Sequence, residues 1–287
     1  MAEARRHAVT AIAFDGLNGL PDSQLPPDSV LLPWLAETEA IERESRRFSQ
    51  AATELTDLFR QAGFEAILLK GPRSAAHYPR PYRRSSGDLD FYVPALPDLV
   101  IWLKKMGYCP ERHSDGAYLF SYQGIPVELH PRPLNLYTGV NTQASGLSFE
   151  LLSQIAHVFS HVIGHGVGLR HILDLAMLCR SLEADPAALA EGRRLISENQ
   201  LSHWASEVSS LLKYYFAIPE AALPLAENLS RRKADRLLRR VLADGNFTPR
   251  NNTRLKTAMA FLRRLPYSLS LSPRHTLATL RALTLRR

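Results

Sequence analysis

The sequence predicts an α+β protein in which a small mixed β-sheet core carries a helical N-terminal arm and a mostly helical C-terminal half. Two observations support this prediction. Short stretches that alternate between apolar and polar residues, as strands do, are concentrated in residues 65–135. Longer stretches with apolar residues at helical spacing lie on both sides of them. We therefore expect three domains, at residues 1–64, 65–135 and 136–287.

The N-terminal arm is predicted to contain one long amphipathic helix. Apolar residues recur at helical spacing from Leu31 to Phe59, and Gly63 is a natural helix-ending residue. The helix is therefore expected over Asp28–Ala62. Residues 1–27 are interrupted by Pro and Gly, and a small strand is expected at Val9–Phe14.

The remaining elements are predicted from the two-residue period of strands and the 3.6-residue period of helices. In the core we expect strands and two helical pieces, followed by helices to the end of the chain. The expected strands are Glu65–Leu69, the stretch Ser85–Val93, and a hairpin of Ala117–Tyr122 and Ile125–His130. The expected helical segments are Ser74–Tyr78, Pro97–Met106, Ser148–Ala184, Pro186–Asn199, Ser202–Phe216 and pieces after Leu223.

The stretch Ser85–Val93 (SSGDLDFYV) places two carboxylates in a strand-like sequence. Side chains alternate along a strand, so Asp88 and Asp90 share one face and repel each other unless a positive charge lies between them. Glu128 and His130 share a face of the predicted hairpin in the same way. If the two strands are neighbours, three carboxylates meet, which suits a hard cation such as Mg²⁺. We predict a divalent cation site at Asp88, Asp90 and Glu128.

A second candidate feature is the glycine turn after the first predicted strand. Lys70 and Gly71 end that strand, and a helical turn containing Ser74 follows. Glycine lets a ligand approach the backbone closely, and free N–H groups at the start of a helix favour phosphate. The turn therefore predicts a phosphate contact.

The charge of the chain is unevenly distributed. The net charge is +7, but residues 231–287 contain 15 Lys and Arg and two Asp, a balance of +13, which leaves −6 for residues 1–230. A basic tail suggests a polyanionic partner, a membrane surface or a wall for a phosphate-bearing ligand. The alternative is a solvated helical face that neutralises the body. No nucleic-acid recognition motif accompanies the tail, so we favour the solvated face or the ligand wall.

Composition also bounds the class of protein. Hydrophobic residues make up 45% of the chain, which is ordinary for a folded protein. No run reaches the roughly 18 to 20 apolar residues that span a bilayer, and the N-terminus lacks a signal-peptide pattern. Cys109 and Cys179 are far apart and lack metal-type spacing, as expected for free thiols in a reducing compartment. We expect a cytoplasmic protein without a transmembrane segment.

Taken in order, these motifs resemble those of an uncharacterised bacterial nucleotidyltransferase family in the DNA polymerase β-like nucleotidyltransferase superfamily. The superfamily pattern is a strand, a glycine turn that opens a helix, Asp-X-Asp on the next strand and a third carboxylate on a later one. The resemblance covers roughly Asp28 to Arg180. The matching features are Leu69-Lys70-Gly71, His77-Tyr78-Pro79, Arg84 to Asp90 (RSSGDLD), Glu128-Leu129-His130, and His161, His165, Leu169, Arg170 and Asp174.

The resemblance implies a two-metal transfer of a nucleoside monophosphate from an NTP such as ATP to an acceptor, with release of pyrophosphate. Asp88 and Asp90 are implied to bind Mg²⁺ or Mn²⁺, and Glu128 is implied to bind the second ion and to act as base. The acceptor is a hydroxyl or phosphate of a small molecule, peptide, protein or RNA; a non-polymeric acceptor is favoured. The implied nucleotide-binding residues are Lys70, Gly71, Arg73, Ser74, Arg84 and Gly87.

The chain departs from the family pattern in three ways, one of which is a loop from Gly71 to Asp88 that is longer than in compact members. Pro72 follows Gly71, where the superfamily usually has Ser or Gly, and this removes one backbone donor. Gly166-Val167-Gly168 replaces an aromatic residue after the second histidine. Two alternatives stay open: a toxin-type enzyme that modifies RNA or protein, and a catalytically silent module that binds through the basic C-terminal region.

A row of histidines forms the last candidate site. His157, His161 and His165 recur every four residues on one predicted helix face. Helical His-X-X-X-His can bind zinc, but the zinc-protease pattern has Glu directly after the first His, where this chain has Val162. We therefore favour a polar seam packed against the predicted sheet, with Asp174 paired to a histidine or arginine, over a zinc site.

Overall fold

The computed structural model describes residues 1–113, 116–134, 146–164, 166–245 and 254–284, with the side chains of 254–261 and 282–284 left aside. This part of the chain groups into two compact units, Met1–Pro133 and Leu134–Arg287. Helices and one five-stranded mixed sheet account for its regular structure, so the predicted α+β class is confirmed. The division at residues 64 and 135 stays a prediction.

The sheet lies in the first unit, and its central pair of strands carries the acidic motifs. Strands β2 and β5 run parallel in the middle, whereas every other neighbouring pair is antiparallel. The strand order is β1-β2-β5-β4-β3. The strands are β1 (Ile67–Leu68), β2 (Leu89–Tyr92), β3 (Glu111–Arg112), β4 (Tyr118–Tyr122) and β5 (Ile125–His130).

The two central strands bury their apolar face, as their alternation predicts. Leu89 and Phe91 of β2 pair in register with Val127 and Leu129 of β5, and all four are almost completely buried. A one-residue slip would turn these side chains away from the core and bring the carboxylates into it. Burial of the apolar face therefore determines where the acidic side chains point.

Two helices cover this apolar face. The predicted long helix is confirmed as α3 (Asp28–Gln61), and Gly63 follows it with a φ of 82°. Phe59 of α3 packs edge-to-face on Phe91, with ring centroids 5.7 Å apart. The second helix, α5 (Leu96–Lys105), contributes Leu99 and Leu103 to the same core.

The predicted hairpin is also confirmed. Strands β4 and β5 are joined by Gln123 and Gly124, whose φ values of 51° and 76° are those of a type I′ turn. Arg47 of α3 donates a hydrogen bond of 2.8 Å to the carbonyl oxygen of Gln123. The turn thereby holds β5 in place against the long helix.

The expected strand at Val9–Phe14 is wrong. This segment forms the short helix α2 (Thr10–Asp15), which follows α1 (Ala2–Arg6). Trp34 of α3 donates a hydrogen bond of 2.9 Å to the carbonyl oxygen of Thr10, and Phe14 packs on the same indole ring. Packing against α3 thus overrides the weak strand propensity of the β-branched residues.

The second unit is helical throughout its described residues. Two features show how closely its helices pack: Trp204 donates a hydrogen bond of 3.0 Å to the Ile155 carbonyl, and a Cβ on Gly192 would meet Leu151 Cδ2 at 2.8 Å. The helices are α6 (Gly146–Ile163), α7 (Leu169–Leu182), α8 (Pro186–Glu198), α9 (Ser202–Phe216), α10 (Arg231–Asp244), α11 (Arg254–Leu271) and α12 (Pro273–Thr284).

The helix expected over Ser148–Ala184 is divided in two, which corrects the prediction. Gly166 has a φ of 95° and Gly168 is extended, so helix α6 ends and α7 begins on either side of them. A Cβ on Gly166 would lie 2.8 Å from Asp244 Cγ, at the end of α10. Glycine fits this stretch because another helix packs directly on the backbone.

No helix among the described residues is both long enough and apolar enough to cross a membrane.

Candidate active site

Asp90 and Glu128 lie side by side on the two central strands. They are register partners in the parallel pair β2 and β5, which confirms that the two acidic strands are neighbours. The Asp90 side chain is 1% exposed and that of Glu128 is 24% exposed. One carboxylate is therefore enclosed by the protein, while the other keeps access to solvent.

Lys70 supplies the positive charge nearest to Asp90. It lies two residues after the end of β1, and the Leu69 N–H between them donates a hydrogen bond of 2.8 Å to the Asp90 carbonyl oxygen. Its Nζ atom is 3.0 Å from Asp90 Oδ1. Burial disfavours the ammonium charge, but attraction to Asp90, Asp88 and Glu128 outweighs burial and raises the pKa of Lys70. Lys70 is therefore a permanent cation at this site.

His130 is the functional candidate that the sequence prediction left out of the site. Its Nε2 atom lies 2.9 Å from Asp90 Oδ1 and 3.8 Å from Glu128 Oε2. The distance to Asp90 is that of a hydrogen bond, and a neutral ring donates it when Nε2 carries the proton. The signal was present in the sequence, because His130 shares a strand face with Glu128.

The two carboxylate oxygens of Asp90 have different surroundings. Oδ1 contacts Lys70 and His130, whereas Oδ2 is buried without a hydrogen-bond partner in the described part of the chain. Burial by itself would raise the pKa of Asp90, but Lys70 and His130 hold this pKa well below its usual range. Oδ2 is thus an anionic, buried oxygen, and an orphaned buried acceptor of this kind calls for an ion or a ligand.

The donor atoms present fit a hard divalent cation. One ligand atom each from Asp90, Glu128 and His130 lie within 4.8 Å of one another. Mg²⁺ binds one or two carboxylates and completes its octahedron with water and phosphate oxygens, and Mn²⁺ also accepts imidazole. The site therefore offers a few protein ligands, mostly carboxylates, and leaves the other coordination positions of the ion to water or a bound ligand.

The pKa of Glu128 is shifted in the opposite direction to that of Asp90. Burial and the repulsion of Asp90 raise the pKa of Glu128, although the nearby His130 and Lys70 oppose this rise. A carboxylate with a raised pKa is more basic than an ordinary glutamate. Two neighbouring acids with pKa values moved in opposite directions are typical of catalytic sites.

Asp88 lies two residues before Asp90 and is partly buried. Its charge is close enough to help raise the pKa values of Lys70 and Glu128. The three ligand atoms within 4.8 Å of one another nevertheless come from Asp90, Glu128 and His130. Metal binding by Asp88 stays a prediction.

Gly71 has a backbone conformation that other residues rarely adopt. Its φ and ψ are 70° and −119°, and a Cβ there would lie 3.4 Å from the Asp88 carbonyl oxygen. It precedes the short helix α4 (Pro72–Ala75), in which Ser74 is buried. Gly87 is exposed, and a Cβ added to it would have no neighbouring atom within 4 Å. Phosphate contacts by these three residues stay predictions.

Arg73 contacts the last residue of β1, and Arg84 contacts the loop that precedes β2. Arg73 Nη1 donates to the Leu68 carbonyl oxygen at 3.3 Å. Arg84 is buried, and its Nη1 donates to Ser85 O and Ser86 Oγ, both at 3.1 Å. These contacts brace the segments that enter β2 and leave β1, and the predicted phosphate contacts of both arginines remain untested.

A groove of about 560 Å³ lies between α3, β1 and α4. Arg73, Leu68 and Tyr82 are among its lining residues, but none of Lys70, Asp90 and Glu128 lines it. The groove is therefore next to the carboxylate site without containing it.

The basic residues of α10 mostly contact other residues of the second unit. Arg236 pairs with the buried Glu207, Arg240 lies 3.9 Å from the centre of the Tyr267 ring, and Lys233 donates to Ser206 at 2.9 Å. Arg231 pairs with Asp235. These contacts favour a structural role for this part of the basic tail over a surface for an anionic ligand.

His165, the third member of the predicted histidine row, lies outside the described residues. His157 and His161 are on α6, with ring centroids 4.5 Å apart.

Comparison with known proteins agrees with this geometry. The family model described as "Uncharacterised nucleotidyltransferase" matches residues 1–212. No curated protein and no solved structure matches the chain. Because the family match covers well over half of the sequence, the chain belongs to this nucleotidyltransferase family and is a transferase of phosphorus-containing groups.

Proposed function

We propose that the protein transfers a nucleoside monophosphate from an NTP to an acceptor hydroxyl or phosphate in a reaction that depends on a divalent metal ion. The observation that carries the proposal is the pair Asp90 and Glu128 on adjacent parallel strands, with a buried, unpartnered Asp90 Oδ2. Membership of the nucleotidyltransferase family supports the transfer of a nucleotidyl group. The carboxylate pair supports a metal requirement, because two neighbouring carboxylates are suited to binding a divalent cation.

Asp90, Glu128 and Asp88 would hold Mg²⁺ or Mn²⁺, which stabilises negative charge on the attacking and leaving oxygens when bound. Asp90 is suited to binding because its low pKa keeps it ionised at every working pH. Lys70 keeps Oδ1 of Asp90 occupied, so the carboxylate presents Oδ2 to the ion. His130 Nε2 lies 2.9 Å from the same oxygen and acts as a positioning residue.

Glu128 is the best candidate for the general base. Its raised pKa gives it a stronger affinity for the acceptor proton than an ordinary glutamate has. The acceptor oxygen forms a bond to the α-phosphorus, the bond from that phosphorus to the bridging oxygen breaks, and pyrophosphate leaves. The proton of the acceptor hydroxyl passes to Glu128. Lys70 is placed to offset the charge that spreads over the phosphate oxygens.

A non-polymeric acceptor is favoured over a nucleic acid. A nucleic-acid surface needs several cationic side chains that can contact successive phosphates. Arg231, Lys233, Arg236 and Arg240 instead contact Asp235, Ser206, Glu207 and Tyr267. A small metabolite is thus the favoured acceptor, ahead of a peptide, a protein side chain or an RNA end.

The decisive experiment supplies α-labelled NTPs with Mg²⁺ to the full chain in a lysate of its host and identifies the molecule that takes up the label. We expect a labelled product that disappears in EDTA and in Asp90→Asn. Thermal stabilisation by Mg²⁺ with an NTP, lost in the same variant, would support the proposal independently. Salt-sensitive binding to nucleic acid that Asp90→Asn leaves unchanged, without any labelled product, would instead identify a silent binding module.

A further inference from the structure

Three histidine side chains meet at the junction of helices α6 and α7 in the second unit. His157 and His161 lie one helical turn apart on α6, and His171 lies in the first turn of α7. The ring centroids of His161 and His171 are 4.6 Å apart, and those of His157 and His171 are 5.6 Å apart. The glycine-containing turn at Gly166 and Gly168 brings the third ring to the first two.

The nitrogen atoms of these rings are close to the spacing that a metal ion requires. One ring nitrogen from each histidine lies within 4.8 Å of the other two. With Zn–N bonds of about 2.0 to 2.1 Å, tetrahedral ligands are about 3.3 Å apart, so the ring nitrogens need to approach one another by at most about 1.5 Å. Rotation about side-chain bonds supplies movements of this size, and two of the three residues are only partly buried.

The chemistry of the donors selects the class of ion. Three neutral imidazoles suit borderline ions such as Zn²⁺, Co²⁺ and Ni²⁺, and they suit Mg²⁺ and Ca²⁺ poorly because these prefer oxygen. The set differs from the carboxylate site on β2 and β5 in its ligand type and lies in a separate compact unit. Three histidine ligands also leave the fourth tetrahedral position open to water or another ligand.

Metal binding by His171 through Nε2 requires a change of its tautomer. The Gly168 N–H donates a hydrogen bond of 3.3 Å to His171 Nδ1, so a neutral ring in this arrangement carries its proton on Nε2. Binding a metal through Nε2 moves that proton to Nδ1 and gives up this hydrogen bond. The bond is longer than the usual range of about 2.7 to 3.2 Å, so its loss costs little.

We propose that His157, His161 and His171 form a second metal site that takes one transition-metal ion of the zinc class and ties α6 to α7. The sequence favoured a polar seam because the glutamate of the zinc-protease pattern is replaced by Val162. The structure adds a ligand from the next helix, and three ligands from two elements are a common form of zinc site. This inference does not depend on the proposed nucleotidyl transfer.

The direct test is X-ray absorption spectroscopy on the full chain loaded with one equivalent of Zn²⁺. We expect three imidazole nitrogens and one light-atom ligand around the ion. An oxygen-rich shell with at most one imidazole would place the ion at the Asp90 and Glu128 carboxylates and overturn the proposal. Absence of stoichiometric Zn²⁺ binding in equilibrium dialysis would overturn it as well.

Variants provide an independent test with Co²⁺, whose visible absorption reports tetrahedral coordination. His157→Gln and His161→Gln replace partly buried residues, so they are expected to keep the native circular dichroism spectrum. Each should lose the Co²⁺ absorption, whereas Asp90→Asn and the exposed control His203→Gln should retain it. Folded His157→Gln and His161→Gln proteins that keep the full Co²⁺ spectrum would refute the site. If neither variant folds, the count of imidazole ligands in the wild-type protein decides.

Discussion

Lys70 Nζ lies 3.0 Å from Asp90 Oδ1, so an ammonium group of the chain itself contacts the more deeply buried of the two register-paired carboxylates. Neighbouring like charges on one strand face destabilise a sheet unless they are compensated. Lys70 compensates one oxygen of Asp90 and leaves the other, Oδ2, for a different cation. The proposed division of the Asp90 carboxylate between Lys70 and a metal ion underlies the first predictions.

Asp90→Asn should abolish the metal-dependent activity while keeping the shape of the side chain. The substitution removes the charge that Oδ2 offers to an ion, and we expect a decrease of roughly 10³-fold in kcat/KM. Asp98→Asn, at an exposed position in the first turn of α5, is the matched control and should leave activity unchanged. A fully active Asp90→Asn protein would contradict the assignment of the site.

Lys70→Met should destabilise the protein, and Mg²⁺ should restore part of the loss. Removing one partner of a buried ion pair costs about 3 to 5 kcal/mol because the other charge stays buried. Urea unfolding in EDTA should show this loss, and the loss should shrink in millimolar Mg²⁺ because the ion supplies the missing positive charge. Lys104→Met, at an exposed position of α5, should show neither effect. An equal loss with and without Mg²⁺ would mean that no ion binds near Asp90.

His130→Ala should reduce metal affinity and activity by roughly 10- to 100-fold, the usual effect of removing a residue that orients a ligand. His130→Gln should recover part of this loss, because its amide can donate a hydrogen bond to Asp90 Oδ1. Isothermal titration with Mn²⁺ and steady-state kinetics measure the two effects separately. A merely structural role for His130 would lower stability without changing the Mn²⁺ affinity of the folded protein.

The raised pKa of Glu128, caused mainly by its burial, makes a prediction about the stability of the metal-free protein. A folded-state pKa above the unfolded value adds stability at low pH, and that stability is lost as the pH rises through the folded pKa. Ionised Glu128 therefore works against folding at pH 7. In EDTA, Glu128→Gln should be inactive yet at least as thermally stable as the wild type at pH 7, with the advantage shrinking as the pH falls. A lower melting temperature at pH 7 would contradict this.

Gly166→Ala should destabilise the second unit. The φ of 95° disfavours any residue with a Cβ, and that atom would lie 2.8 Å from Asp244 Cγ. Asp244 also pairs with Arg264, which donates to the Gly164 carbonyl oxygen, so the aspartate cannot move without breaking these contacts. We expect a loss of about 2 to 4 kcal/mol in urea unfolding. Gly19→Ala, where nothing lies within 4 Å of the added atom, is the control.

Much of the first unit was determined by the sequence alone. Apolar and acidic residues alternate along both central strands, and this alternation defines which face of each strand is buried. The apolar residues are Leu89 and Phe91 in β2 and Val127 and Leu129 in β5, and the acidic residues are the two aspartates and Glu128. The helical spacing of apolar residues in α3 and the turn residues Gln123-Gly124 are also local patterns. The structure confirms the helix and the turn that they predict. Such patterns are readable because they arise from the geometry of a single element.

The tertiary structure decided which residues meet. The parallel pairing of β2 and β5 is a contact between segments distant in sequence, and it places Asp90 beside Glu128 and His130. The antiparallel β1 brings Lys70 to the same point. The turn at Gly166 likewise brings His171 to His157 and His161, and packing on α3 makes a helix of Thr10–Asp15. Each outcome depends on burial between distant segments, and no periodicity within one segment contains that information.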